Sequence, residues 1–143
     1  MIKKLTCLKE PELTRLCDLW LDTNKEAHDF IPATYWQHNY DLVKGLFPKA
    51  QIYGYYEEDT LLAFIGLMET YIAGLFVSSN RQGEGIGTQL LEAAQHQATE
   101  LSLHVYKKNQ PAVAFYLSKG FNIDKESLDE TTGEAEYLMT WHA

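Results

Sequence analysis

The chain has 143 residues, 45% apolar and 22% charged, which is one domain's length and a soluble globular balance that needs no disulfide or metal to fold. Its 12 basic and 20 acidic residues leave a net charge of −8, which repels phosphate backbones and argues against nucleic acid while favouring amines or basic peptides. Cys7 and Cys17 show no metal-ligand or disulfide spacing, and no apolar run suggests a secretion signal or the ~20 residues of a membrane span, so the cytoplasm is the expected compartment.

Residues 2–8 read as a short strand. Glu10-Pro11 opens a helix, since proline is tolerated in a first turn, and Leu13, Leu16, Cys17 and Trp20 form one apolar stripe at i, i+3, i+4 and i+7. Pro32 breaks the next segment, and a second short helix is expected over 34–46. Three strands follow at 52–56, 61–68 and 71–77, with connections short enough for antiparallel hairpins. After a loop of small and polar residues at 78–87, a helix is expected from about 85 to 101, with Ile86, Leu90, Ala94 and Leu101 on one face. Residues 103–106 read as a strand, and 110–119 as a helix with Pro111 in its first turn and Gly120 as its stop. Strands at 121–126 and 136–141 close the chain. The order is β-α-α-β-β-β-α-β-α-β-β. The step from 71–77 through a helix to 103–106 is a βαβ crossover, so that pair should be parallel. The expected fold class is α/β: a mixed, mostly antiparallel sheet with helices on both faces, one domain over 1–143.

The segment Arg81-Gln82-Gly83-Glu84-Gly85-Ile86-Gly87-Thr88 lies between a strand and a helix. Glycines there allow a tight turn and a close approach to a ligand, and the free N–H groups of the following helix make an anion site suited to a pyrophosphate. A plain tight turn would use the same residues. A P-loop would need a Lys after Gly87, and a dinucleotide-binding fingerprint would need G-x-G-x-x-G on the first strand with an acid about 20 residues on. Neither pattern is present.

Gln82-x-x-Gly85-x-Gly87 resembles the Q/R-x-x-G-x-G/A signature of the GNAT acetyltransferases. The stretch from Asn109 through Ala112 and Tyr116 to Gly120-Phe121 is similar to that family's N-x-x-A-x-x-F/L-Y-x-x-x-G-F block, in the right order and at the right separation. The run Trp20…Ala27-His28-Asp29-Phe30-Ile31-Pro32…Tyr35-Trp36 looks like the small bacterial YiaC/YjaB-type branch. The resemblance implies a single GNAT domain acting as an acetyl-CoA-dependent N-acetyltransferase on a primary amine, such as a protein lysine or an N-terminus, as a monomer or homodimer. A non-catalytic CoA-binding sensor, or an enzyme acting on a small-molecule amine, are the alternatives. It also implies roles. Acetyl-CoA's pyrophosphate would lie on the amides of Gln82, Gly83, Glu84, Gly85, Ile86, Gly87 and Thr88. Its pantetheine arm would pair with the backbone of Leu75, Phe76 and Val77, in a slot where the parallel strands splay. A backbone N–H near Phe76 would meet the thioester carbonyl as an oxyanion donor, and Asn109 would contact the cofactor.

Acyl transfer to an amine needs one proton removed from the ammonium and one given to the departing thiolate. Tyr116 matches the family's proton donor; as a plain residue it could equally be a core ring. A phenol near pKa ~10 can donate to a thiolate whose conjugate acid lies near ~8.5. Where related ribosomal-protein acetyltransferases carry Leu-Glu-Val, with the Glu a proposed base, this chain has Leu103-His104-Val105. His104 is thus a candidate base or a structural hydrogen-bonder, Glu69 is a rival base or a solvated turn residue, and ordered water is a third route. The acceptor site should involve Tyr71 and residues 26–40, where His28, Phe30, Tyr35 and Trp36 either line a cleft or pack the helices.

Overall fold

The computed structural model describes Met1–Ala143. The elements run β1 (Ile2–Leu5), α1 (Glu10–Ala27), α2 (Ala33–His38), α3 (Tyr40–Leu46), β2 (Gln51–Glu57), β3 (Thr60–Met68), β4 (Tyr71–Val77), α4 (Ile86–Gln95), β5 (Glu100–Tyr106), α5 (Gln110–Ser118), β6 (Asn122–Asp129) and β7 (Glu134–His142). They form one seven-stranded sheet in the order β1-β2-β3-β4-β5-β7-β6, in which β4–β5 is the parallel pair and every other neighbour is antiparallel.

Each face of the sheet carries its own core. On one side, Leu16, Cys17 and Trp20 of α1 pack with Trp36, Ile52 and Phe64. On the other, Leu90 and Ala94 of α4 and Tyr116 of α5 pack with Ile65, Leu103 and Met139. β3 is buried on both faces, which is why Leu61 to Met68 reads as an almost unbroken apolar run. No helix is long and apolar enough to cross a membrane.

Beyond shifts of up to three residues at strand ends, two elements differ from the sequence expectation. The helix over 34–46 is two helices. At Asn39 the backbone turns to φ −94° and ψ 0°, and its Nδ2 donates to the Tyr35 carbonyl at 2.7 Å, a local bond that competes with the helical ladder. The helix expected to reach 101 ends at Gln95, so Leu101 lies in β5 and not on the face of α4. Leu101, Leu103 and Val105 are buried at alternate positions while His104 between the last two is exposed, a period of two that the preceding alanine-rich helix obscures in the sequence.

Candidate active site

The parallel pair parts early. Tyr71 is level with Ser102, whose N–H donates to the Thr70 carbonyl at 3.0 Å, and β4 and β5 pair nowhere beyond that point. β4 also bulges. Gly74 faces Gly66 and Ile72 faces Leu67, so Ala73 has no partner in β3, and a bulge of this kind bends and twists its strand. A Cβ at Gly74 would lie 2.3 Å from the Phe76 ring folded back over it, so any larger residue there would push that ring aside.

Two cavities open on the splay. The larger, about 720 Å³, has Leu75 and Val77 on its β4 side, the glycine loop and first turn of α4 along one wall, and α5 along the other. Gln82, Gly83, Gly85, Ile86, Gly87 and Thr88 all line it, as do Asn109 and Tyr116. Two of the sequence candidates do not. Phe76 turns to the second cavity, and the Glu84 side chain instead accepts from Arg81 Nε at 3.1 Å. Gly83 and Gly85 hold φ of 81° and 84°, the left-handed region where a side chain is strained. Gly85 caps α4, and the first intrahelical bond runs from Gln89 N–H to its carbonyl. The N–H groups of Ile86, Gly87 and Thr88 therefore have no helical acceptor, which is the donor set an anion needs. Arg81 and Lys108 flank them. Arg81 is bracketed by Glu57 and Glu84, and it holds the Glu57 carboxyl below the usual carboxylate range.

The smaller cavity, about 330 Å³, lies on the α1–α2 side under Trp20, His28, Trp36, Phe76 and Tyr106. It shares Thr23 and Ala27 of α1, Leu75 and Val77 of β4, Gln82, and Asn109, Ala112 and Tyr116 with the larger one, so the two meet between α1, β4 and α5. Tyr116 is 7% exposed, and Phe115 and Phe121 stand edge-on to its ring at 5.2 and 5.4 Å. Burial alone pushes its phenol well above the ordinary value, so the group stays protonated. Tyr116 is thus both a member of the core on this face and a wall of both cavities.

Residues 13–121 match the acetyltransferase (GNAT) family. The chain is 35% identical to the peptidyl-lysine N-acetyltransferase YiaC of Escherichia coli K12 over 132 residues, 91% of this chain and 90% of that protein. It is 29% identical to the peptidyl-lysine N-acetyltransferase YjaB of the same strain, covering 97% and 95%. The chain belongs to the GNAT family. The solution structure of apo-form Escherichia coli YjaB superposes with a TM-score of 0.84 at 27% identity, over 99% of this chain and 96% of that one. The PaiA N-acetyltransferase of Thermoplasma acidophilum, solved with coenzyme A, shares the fold at 0.78 and 17% identity, over 100% and 99%. The chain is accordingly an acetyl-CoA-dependent N-acetyltransferase.

The segment between α1 and α2 meets the GNAT signature helix through one polar contact. Asn109 caps α5, its Oδ1 accepting from Ala112 N–H at 3.4 Å, which leaves Nδ2 to donate to His28 Nε2 at 3.1 Å. The His28 proton then sits on Nδ1, which has no partner in hydrogen-bond geometry. His28 stacks on Trp36 at 5.3 Å and meets Tyr106 edge-on at 5.1 Å. Burial depresses its pKa below 6.5, and the backbone of Asn24 opposes this only in part. Above pH 6.5 the imidazole is neutral in both states. Below it the unfolded chain takes up a proton that the folded chain refuses, so stability falls with pH at up to about 1.4 kcal/mol per unit. The expected result is a melting temperature a few degrees lower at pH 5.5 than at 7.5 (roughly 2–4 °C per kcal/mol), with a flatter profile in His28→Phe. Equal pH profiles in the two proteins, by calorimetry, would refute this assignment. Phe30 and Tyr35 pack edge-on against Tyr106 and Trp36 respectively and do not line the cavity.

His104 lines the smaller cavity, and its Nδ1 lies 2.8 Å from Tyr71 Oη. Tyr71 itself sits outside the lining and touches the site through this bond. Glu69 is not brought to the site. It occupies the tight β3–β4 turn at φ 56°, exposed and outside both cavities, seven residues from Phe76 along β4, or roughly 20 Å at strand rise. Glu26 and Ala27, at the start of the expected acceptor segment, do line a cavity, and so do Thr23, Ala73 and Glu136, which the sequence does not single out. Thr23 and its neighbour Asn24 were visible in principle, since they extend the apolar stripe of α1 by one turn. Their polar groups are satisfied by the Leu19 and Trp20 carbonyls at 2.6 and 2.8 Å.

Proposed function

We propose that this GNAT enzyme acetylates the side-chain amine of a peptidyl lysine, with acetyl-CoA in the larger cavity and the lysine arm entering the smaller. The observation that carries this reading is that Tyr116 is a wall common to an anion-suited cleft and an aromatic-lined second cavity. The names of YiaC and YjaB, each similar over nine-tenths of this chain or more, support the acceptor class.

In this reading the loop amides from Gln82 to Thr88 hold the pyrophosphate. The edge of β4 at Leu75, Phe76 and Val77, freed by the splay, takes the pantetheine arm and offers an N–H to the thioester carbonyl. Asn109 borders the arm and is fixed in place by His28. The lysine amine, once it has lost a proton, attacks the thioester carbon. The C–N bond forms, the C–S bond breaks, and Tyr116 gives its proton to the thiolate. The tyrosinate recovers a proton from the new ammonium-like nitrogen, so the net release to solvent is one proton. His104 is the base. For this its Nε2 must be bare, which requires Nδ1–H to donate to Tyr71 Oη. Glu69 has no place in this chemistry. The site is built from one chain, so a monomer or a homodimer serves equally, and the reaction belongs to the cytoplasm.

The test is thiol release from acetyl-CoA against lysine peptides, peptide N-termini, polyamines and aminoglycosides. Turnover with the lysine peptides alone is expected. Turnover confined to a small amine would overturn the acceptor class, and acetyl-CoA binding without turnover of any acceptor would favour a sensor.

A further inference from the structure

Among the residues lining the smaller cavity there is no lysine or arginine and a single carboxylate, Glu136 of β7. The rest of the wall is aromatic, aliphatic or amide, apart from the hydroxyl of Thr23, which is bonded to the Leu19 carbonyl, and the imidazoles of His28 and His104. Glu136 pairs across the sheet with Tyr106, and Leu138 pairs with His104. Side chains two apart on a strand share a face, so Glu136 sits diagonally beside His104 on the cavity face, within reach of a long side chain.

We propose that Glu136 is the counter-ion that selects the acceptor's ammonium, making the smaller cavity specific for a primary amine on an aliphatic arm. The inference rests on the lysine reading and adds the residue that enforces it. An alkylammonium entering this space buries its methylenes against Trp20, Trp36 and Phe76, which is favourable, and strips water from its charge, which is not. Ring faces offset part of that loss, but a full negative charge is needed to offset the rest. Glu136 is the group that can supply it, and no fixed cation competes. Burial holds its carboxyl above the ordinary range, opposed by His104 and reinforced by Asp129, so in the free protein its charge lacks a full partner. The other titratable groups around it are Tyr106 on β5, Tyr71 on β4 and Tyr35 on α2. Asp129 is committed elsewhere, accepting from Tyr106 Oη at 2.7 Å. With the ammonium held there, His104 lies beside it to take the proton that frees the nucleophile.

The experiment compares a lysine peptide with the same peptide carrying norleucine, which keeps the aliphatic arm and removes the charge. Binding of each is measured by calorimetry in the presence of CoA, alongside acetylation kinetics. The wild-type protein is expected to favour lysine by about tenfold, the size of one charge-assisted contact. Glu136→Gln should abolish that preference and raise the peptide KM about tenfold, with the acetyl-CoA KM unchanged within about twofold. Glu136→Asp should keep part of the preference, which guards against a folding defect in the amide variant. Glu126→Gln removes the same unit of charge from an exposed pair with Lys107 and should change nothing. A lysine preference that survives in Glu136→Gln, or is lost equally in Glu126→Gln, overturns the proposal. Wild-type turnover with lysine peptides would still stand in that case. Loss of turnover in the wild type would instead sink the lysine reading, and the two failures are distinguishable because the norleucine comparison is read by binding and not by turnover.

Discussion

Tyr116→Phe is expected to lower kcat by on the order of 10²-fold or more while leaving the KM for acetyl-CoA within a few-fold. The substitution removes one oxygen from a ring that Phe115 and Phe121 hold edge-on, so packing is conserved and the variant should fold. In the proposed mechanism, what it removes is a proton needed only as the C–S bond breaks. An interaction made in the transition state and not in the ground state lowers kcat and kcat/KM together, which is the signature to look for. Burial strengthens the case. A phenol raised above its ordinary pKa stays protonated through the working range, so it can serve as an acid and contributes no alkaline limb to the rate profile. An unchanged kcat would strip Tyr116 of this role and leave the thiolate to be protonated by water. An unchanged kcat with a raised KM would make it a binding residue only.

The parts of the fold that were legible in the sequence are those governed by local rules. Proline at the second position of α1 and of α5, the period of the α1 stripe and the polar turns between β2, β3 and β4 fix those elements from short windows of sequence. The parallel β4–β5 pairing follows from the handedness of one crossover. The glycine loop is legible because left-handed backbone at residues 83 and 85 demands glycine, and the pattern exists for that reason. What the sequence hides depends on register between distant strands. Glu136 sits in the run Glu134-Ala135-Glu136-Tyr137, where nothing distinguishes it from its neighbours. Only the pairing with Tyr106 sets it on the cavity face, while Glu134 is drawn off to Lys108 at 3.0 Å. Glu69 lies outside both cavities for the complementary reason. Its nearness in sequence to the cofactor strand suggested nearness in space, yet a strand carries its two ends apart by its full length. His104 stands out in the sequence because it replaces a family glutamate, but its partner Tyr71 lies 33 residues away in sequence and is joined through the one level at which β4 and β5 still pair.

Gly87→Val is expected to raise the acetyl-CoA KM by about ten- to a hundredfold with little change in melting temperature. Gly85 is the more conspicuous residue, but a valine there would have to adopt φ 84°, which is strained for a β-branched side chain whether or not a ligand is present. Loss of affinity in that variant would be confounded by loss of the α4 cap. Gly87 is not in the left-handed region, and a Cβ there would meet Phe115 Cζ at 3.7 Å, Val77 Cγ2 at 3.8 Å and Leu75 Cδ2 at 3.9 Å, ordinary contacts the free protein can accept. Those three residues are walls of the larger cavity, so valine's methyl groups would occupy space between the loop and β4. Gly87→Ala, whose added carbon stops at ordinary contact distance, should show a smaller rise. A graded effect on acetyl-CoA KM with an unmoved peptide KM would locate the cofactor in the larger cavity. If Gly87→Val binds acetyl-CoA as tightly as the wild type by calorimetry, the cofactor does not lie along this loop, and the assignment of the two cavities has to be reversed.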